Sequence, residues 1–560
     1  MAELLDLPPE LIVLIINCMH PSCHFNFARA NKLCFQLSTD VLARHAVYHQ
    51  RAQPWSDTLP LTLPRLFHMV LKDPVAAYYV HHLAFWGSRT SWDLWQDLPL
   101  RDDRAPNHTL HAAMNTSNAG PACHIFIPPH IHAFRQILRR CPNLSEDLWI
   151  QKLLEGDESH FKVLLLAMLP HLTHLWLAAP IPALRLFLNS SFPPHPLSHL
   201  RNVSISIQDL RYLLPAQCCG FETIADVYLL PALESLYVLY DYAPDQAPDP
   251  ADPACIPIGK SSVKTLLLDG TEPPFSDLLQ MIAGAAALHT YVDSIGPENI
   301  SGCLGALQQH HSDTLQNLDL GSQRDDLDFL QELYSDSPNQ KNLTVFRDLK
   351  QVKLNAVAIL KQITRLQYDG VYDGTSDPFR IWVASKYGQG SSPRFLNFAS
   401  ILPESIEILT FTPMEDKWAI GVCAADMLDA LVSANLHDTT LPNLSAIFFN
   451  DLIEMRHWRS AGLREHLPRS FPELAQTAFL PWFQMSIAAG AQRGINVYTS
   501  STHDPEEIEH IRRGMGMPMP LAEHDVKKYD DFADLRSSAQ KEASQMQALA
   551  TGGTLYDDDL

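Results

Sequence analysis

The sequence predicts an α/β protein: a short all-helical N-terminal segment, then a long array of strand-and-helix repeats. Three observations carry this prediction. Apolar residues between positions 7 and 46 recur at helical spacing. A six-residue apolar pattern of the form L-x-x-L-x-L then recurs along most of the chain. Proline stands just before several of these patterns, at Pro142, Pro170, Pro231 and Pro442, where each reads as a turn that opens a strand.

Length and composition frame that prediction. At 560 residues the chain exceeds a single core and calls for several domains or one extended array. It is 46% hydrophobic and 19% charged, the composition of a folding chain. A formal net charge of −22 repels phosphate backbones and anionic lipid, so neither nucleic acid nor membrane is expected as a partner. The opening residues lack the basic stretch and small-residue cleavage site of a secretory signal, and no apolar run of spanning length occurs. The ten cysteines are scattered rather than framed for disulfides, which points to a reduced cytoplasmic or nuclear setting. There the eight N-x-S/T sequons (Asn107, Asn115, Asn143, Asn189, Asn202, Asn299, Asn342 and Asn443) carry no glycosylation meaning.

The first fifty residues read as helices by elementary rules. In Leu7-Pro8-Pro9-Glu10-Leu11, proline falls in a first turn whose N–H groups have no intrahelical partner, and the glutamate suits the helix dipole. Leu11, Leu14, Ile15 and Cys18 share one face, and Ile12 and Ile16 widen it. His20-Pro21-Ser22 breaks this helix, with Ser22 as a cap for the next. Phe25, Phe27, Ala28 and Ala30 lead into Asn31-Lys32-Leu33-Cys34-Phe35. So small a unit has more apolar surface than it can hide internally. It packs either on the rest of its own chain or on a partner.

Residues 4–46 resemble an F-box, the module that plugs a receptor into a cullin-type ubiquitin ligase. The resemblance lies in the Leu7-Pro8-Pro9-Glu10-Leu11 opening with Ile15 four residues on, the proline break, and the Ala30-Asn31-Lys32-Leu33-Cys34-Phe35 segment. The family usually has Val-Cys-Lys-x-Trp at that last segment. The resemblance implies that Leu7, Pro8, Leu11 and Ile15 sit against a Skp-type adaptor.

After a helical connector (51–75) the repeating pattern begins at Val80 to Phe85. It recurs at 172–177, 200–205, 233–238, 263–268, 288–293, 315–320, 349–354, 406–411 and 444–449, with a stretched version from Leu144 to Ile150 and a last strand at 495–497. Spacings from residue 144 are 28, 28, 33, 30, 25, 27, 34, 57 and 38, so several repeats carry insertions. Helical stretches are predicted at 301–311, 325–334 and 474–491. In each L-x-L strand the flanking residues point into the core and the middle one points out. One repeat cannot bury its apolar face alone, so neighbours must stack. The pattern is similar to the irregular leucine-rich repeats that follow F-boxes in many receptors. It implies a solenoid over 76–500, with parallel strands on the concave face and helices and loops on the convex one. Residues 243–257, rich in Pro and Asp, read as a mobile loop, and 501–560 as a mobile acidic tail.

Signatures of chemistry are weak. The sequence holds no H-E-x-x-H, P-loop, G-x-S-x-G or paired C-x-x-C. Gly388-Gln389-Gly390 lacks the strand–helix context of a nucleotide loop. Cys123, His124, His130 and His132 cluster without the second ligand pair that zinc requires, and Cys218-Cys219 reads as two buried small apolar residues. No cofactor, metal or catalytic residue is expected. Recognition is expected instead, on the outward middle positions Ala84, Trp149, Trp176, Ser204, Tyr237, Leu267, Val292, Asp319, Lys353, Thr410 and Phe448. Among them Trp149, Trp176, Tyr237 and Phe448 are the candidate substrate anchors, with Trp149 and Trp176 side by side unless an insertion or the tail covers them.

Together the two resemblances imply a non-catalytic substrate receptor of an SCF (Skp–cullin–F-box) ligase. Its partners would be a Skp-type adaptor, cullin and a RING subunit through that adaptor, and a protein client. Two alternatives stay open: an F-box scaffold outside ubiquitin transfer, and an enzyme whose loops build a site over the repeat face.

Overall fold

A computed structural model describes residues 7–50, 55–57, 62–85, 89–91, 128–141, 143–177, 181–189, 196–207, 221–240, 256–270, 274–293, 300–320, 343–355, 398–412, 421–438, 441–449 and 484–499. The loop predicted at 243–257 (apart from its last two residues), the tail from 501, the helix at 325–334, Gly388 to Gly390, Cys123, His124 and the Cys218-Cys219 pair lie outside the described residues.

The N-terminal segment folds as four helices. Helix α1 (Pro9–Cys18) begins with proline at its head and Glu10 in its first turn. Helix α2 (Pro21–Ala28) is capped by His20 rather than by Ser22: the imidazole accepts the Ser22 N–H at 3.3 Å. Helix α3 (Lys32–Leu37) is capped by Asn31, whose side-chain oxygen accepts the Cys34 N–H at 2.8 Å, and α4 (Thr39–Gln50) follows. Ile12, Ile16 and Val41 form the centre of this bundle together with Val75, while Leu7, Phe27, Leu37 and Tyr79 pack around them. Val75 belongs to α6 (Pro74–Tyr78), which follows α5 (Thr62–Lys72). The first helices therefore share a core with the segment read as a connector. Between them the two-residue strand β1 (Trp55–Ser56) pairs in parallel with β2 (His82–Phe85).

The chain divides into two compact units, residues 1–209 with 217–290, and 210–216 with 291–560. In the first, β2 is followed by helices α7 (Pro128–Leu138), α8 (Glu146–Glu155) and α9 (Glu158–Leu166). Then come β3 (His174–Leu177), α10 (Pro182–Leu188), β4 (Asn202–Ile207), α11 (Phe221–Tyr228), β5 (Ser235–Tyr240), β6 (Thr265–Gly270) and α12 (Phe275–Gly284). Each strand pairs in parallel with the next. Leu83, Leu175, Val203, Leu236 and Leu266 face one another across the ladder, as do Phe85, Leu177, Ile205, Val238 and Leu268. All ten are at most 3% exposed, so the inward positions of the pattern hold; the middle positions Ala84, Tyr237 and Leu267, expected to be outward recognition positions, are buried as well, at 4%, 8% and 6% exposed.

The second unit repeats the scheme. Strand β7 (Thr290–Asp293) stands at its start, followed by α13 (Ile300–His311), β8 (Asn317–Asp319), β9 (Gln351–Asn355), β10 (Ile408–Thr412), α14 (Gly421–Asp438), β11 (Ala446–Phe449), α15 (Gln484–Arg493) and β12 (Asn496–Thr499). From β8 to β12 every ladder is parallel and joins consecutive strands.

A backbone device recurs at the head of the strands. The carbonyl of His81 accepts the N–H groups of both Thr173 and His174. Thr173 does the same for Arg201 and Asn202, Arg201 for Glu234 and Ser235, Lys350 for Glu407 and Ile408, and Glu407 for Ser445 and Ala446. One step earlier a tight turn closes from Leu172 to Leu169, Leu233 to Leu230 and Leu444 to Leu441, with Pro170, Pro231 and Pro442 at its second position. Proline thus marks the turn before β3, β5 and β11; the same turn closes from Leu200 to Leu197 before β4 without one, and Pro142, also read as opening a strand, lies outside the described residues and is followed by helix α8.

One expected strand is a helix. Leu144 to Ile150 lies at the start of α8, where Ser145 accepts the Leu148 N–H and Glu146 and Asp147 fill the acidic first turn. The helix ends at Gly156 with φ 90°, a left-handed position that favours glycine. Trp149 is therefore a helical residue, 2% exposed, with its ring edge-on to His160 at 4.7 Å. It does not lie beside Trp176 on the sheet. Among the described residues no helix is long and apolar enough to cross a membrane.

Candidate functional site

Two surfaces follow from this architecture. The first is the N-terminal bundle. Helix α1 turns Ile12 and Ile16 inward, 1% and 2% exposed, and leaves Leu11 and Leu14 outward at 47% and 59%. Phe25 of α2, Leu33 and Phe35 of α3 and Val47 of α4 are also exposed. Of thirteen exposed large apolar side chains among the described residues, these six fall within residues 7–50, so apolar exposure concentrates in the bundle. The residues singled out in the sequence separate here. Pro8 and Leu11 are exposed and Ile15 is half-buried, whereas Leu7 is half-buried and packs on the bundle's own core. Leu14, Phe25, Leu33 and Phe35 are additional exposed members. Helical spacing from Leu11 points to Leu14; short helices such as α3 are too brief for a period to reveal which side faces out.

The second surface is the outward side of the strands. In the first unit Trp176, Ser204 and Tyr237 sit in register on β3, β4 and β5. Trp176 is half-buried and Tyr237 is 8% exposed. One row earlier His82 and His174 stack at 4.2 Å, and the Trp176 ring lies 6.0 Å from His82 at 24°. The Asn202 amide donates to Nε2 of His174 at 2.9 Å, so Nδ1 carries the proton and donates to Thr173 Oγ1 at 2.9 Å. Burial, then His82 and His81, hold His174 down to about 4, and burial with His81 lowers His82. At neutral pH this is an uncharged aromatic platform. In the second unit the same side carries Asp319 paired to Lys353 at 3.3 Å, Thr410, and half-buried Phe448.

Groups with chemical potential are accounted for structurally. Lys162, Glu158 and Asp57 are buried with no more than 2% exposure. Lys162 binds Asp57 and lies 3.5 Å from Glu158, whose two oxygens receive Arg89 Nη1 at 2.8 Å. Burial pushes the Glu158 carboxyl up, against the pull of Lys162 and Arg89. This network ties α9 to the end of β1 and to residue 89. Asp157, Ser159 and His160 resemble a hydrolase triad by residue type only. Ser159 Oγ donates to Asp157, whose carboxylate caps α9, and His160 meets both Ser159 Oγ at 3.3 Å and Asp157 at 3.1 Å through the same nitrogen, Nδ1, so the two-nitrogen bridge of a triad is not formed. Burial pushes the Cys303 thiol up to about 12, and it donates to the Tyr291 hydroxyl at 3.5 Å. Among the described residues no group of His, Cys, Asp and Glu is arranged to hold a metal. No family model, curated protein or solved structure matches this chain.

Proposed function

We propose that this chain is a substrate receptor of an SCF-type ubiquitin ligase. The N-terminal bundle docks on a Skp-type adaptor, and the outward strand face holds a protein client. The observation that carries this reading is the division of labour within α1. Ile12 and Ile16 build the bundle's own core, while Leu11, Leu14, Phe25, Leu33, Phe35 and Val47 stay 39–59% exposed. Keeping that much apolar surface in water costs solubility, and a docking partner removes the cost.

Such a receptor needs no catalytic residue. It holds a client lysine near the charged conjugating enzyme, reached through adaptor, cullin and RING subunit, and so raises the effective concentration of the reacting pair. The half-buried Trp176 and the platform of His82 and His174 suit recognition of a client by contact with planar, uncharged rings. On β11 Phe448 is likewise half-buried, whereas Tyr237 on β5, at 8% exposed, offers little contact area.

The test is co-purification from a eukaryotic host. The wild-type chain should bring down the Skp-type adaptor and cullin, and the Leu7→Ala/Pro8→Ala and Leu11→Ala/Leu14→Ala variants should lose both. Adaptor without cullin would support a scaffold outside ubiquitin transfer. Undiminished adaptor capture by the Leu11→Ala/Leu14→Ala variant would sink the assignment.

A further inference from the structure

The N-terminal bundle is held to α6 by a chain of hydrogen bonds through two buried imidazoles. His24 and His45, 2% and 1% exposed, contact each other through Nδ1 and Nε2 at 2.9 Å. The other nitrogen of His24 reaches the Ile16 carbonyl at 2.9 Å, and the other nitrogen of His45 meets the Tyr79 hydroxyl at 2.9 Å.

The partners fix every proton. A carbonyl only accepts, so His24 Nε2 carries a hydrogen and donates to Ile16. A neutral imidazole has one donor and one acceptor, so His24 Nδ1 accepts. His45 Nε2 must then donate to it, His45 Nδ1 must accept, and the Tyr79 hydroxyl donates. This one relay joins α1, α2, α4 and the residue that closes α6.

We propose that the relay is an acid-sensitive joint, which holds the bundle together and to α6 only while His24 is neutral. A proton added at His24 Nδ1 sets two N–H groups head to head at 2.9 Å. A proton added at His45 Nδ1 is tolerated only if Tyr79 rotates its hydroxyl and gives up its role as donor. Once the joint opens, both rings meet water and take up protons in the ordinary histidine range.

The surroundings favour the neutral state. Burial dominates at both rings, lowering His24 and bringing His45 down to about 4. Arg44 on α4 opposes further positive charge at both, and His20 at the head of α2 opposes it at His24. Asp73, at the head of α6, acts the other way on His45 and is itself engaged by Arg44 at 3.1 Å. Tyr78, Phe25 and Tyr79 ring His45, and His49 touches Tyr79. The sign follows: the joint is fully closed above about pH 6.5 and loosens as pH falls toward 4. If the bundle is the adaptor-docking module, as proposed above, docking becomes pH-dependent in the same window.

Hydrogen–deuterium exchange of the full chain from pH 7.5 to 4.5, corrected for intrinsic exchange, tests the joint without any adaptor. Peptides from α1, α2 and α4 should lose protection below pH 6.5, by up to about 10-fold per pH unit for each imidazole that gains a proton. Peptides from β9 to β11 should hold over the same range. Tyr79→Phe removes the donor that keeps His45 Nδ1 occupied, so His45 can take up a proton inside the closed joint and the loss of protection below pH 6.5 should be shallower than in wild type. His24→Gln/His45→Gln replaces both titrating rings with groups that can still donate and accept, so its loss should flatten. A pH dependence identical in wild type and Tyr79→Phe overturns the proposal, even if the glutamine variant fails to fold. Adaptor capture at pH 7.5 is scored separately: its absence counts against the docking reading and leaves the exchange result to judge the joint.

Discussion

Replacing Lys162 by methionine tests the buried ion network most sharply. The ammonium is fully buried, binds Asp57, stands 3.5 Å from Glu158 and lies over the Phe85 ring at 5.2 Å. Methionine keeps the stem and the ring contact but removes the charge that balances two buried carboxylates. Glu158 retains Arg89 at 2.8 Å, so the larger loss falls on Asp57. Breaking such a buried pair from one side costs about 3–5 kcal/mol. The assay is native-state hydrogen exchange of the peptides covering β2 and α9, read as local opening free energies. Asp57→Asn/Lys162→Met removes both charges and should restore part of the loss, with a coupling of about 1–3 kcal/mol. Lys152→Met, in an exposed pair with Glu155 at 2.7 Å, is the control and should leave protection unchanged. A Lys162→Met loss below about 1 kcal/mol, or no recovery in the double variant, would show that the Lys162–Asp57 pair does not stabilise this contact.

Further outcomes follow from single contacts. Ile12→Ala should destabilise the bundle by about 2–5 kcal/mol, since it opens a cavity among Ile16, Val41 and Val75. Leu14→Ala should leave thermal stability within about 0.5 kcal/mol, as expected for an exposed side chain; differential scanning calorimetry separates the two. Asp429→Ala removes the carboxylate that receives the Met485 and Ser486 N–H groups at 3.0 and 2.7 Å. It should lower protection of α15 by about 1–2 kcal/mol. On the strand face, His174 contributes stability above about pH 6.5 that is lost as pH falls toward its folded value of about 4. Trp176 fluorescence should report that loss, and His174→Gln should weaken its pH dependence.

Much of the fold is legible in the sequence because its signal is local. A strand of pattern L-x-L needs only alternation, so ten of the predicted cores coincide with β2 to β11 and the last predicted strand with β12. Strand β1 escapes because Trp55 and Ser56 are too few to show a period. Leu144 to Ile150 misleads because its leucine and tryptophan spacing mimics a core. The cap at Ser145 with Glu146 and Asp147 behind it was the stronger local signal for a helix. The N-terminal bundle is only half legible. The Leu7 to Ile15 opening marks it, but which apolar residues face outward depends on how α1 rolls onto Val41 and Val75. The Lys162–Asp57 contact spans 105 residues and the His45–Tyr79 contact 34, and neither separation carries a sequence pattern.

The most direct measurement of the central claim is a titration of a purified Skp-type adaptor into the purified full chain at pH 7.5, by calorimetry. A stoichiometric complex is expected, whose affinity falls by about 10-fold or more in Leu11→Ala/Leu14→Ala, with exchange protection of Ile12 and Ile16 unchanged. No complex with the wild-type chain, or equal affinity for the variant, would contradict it.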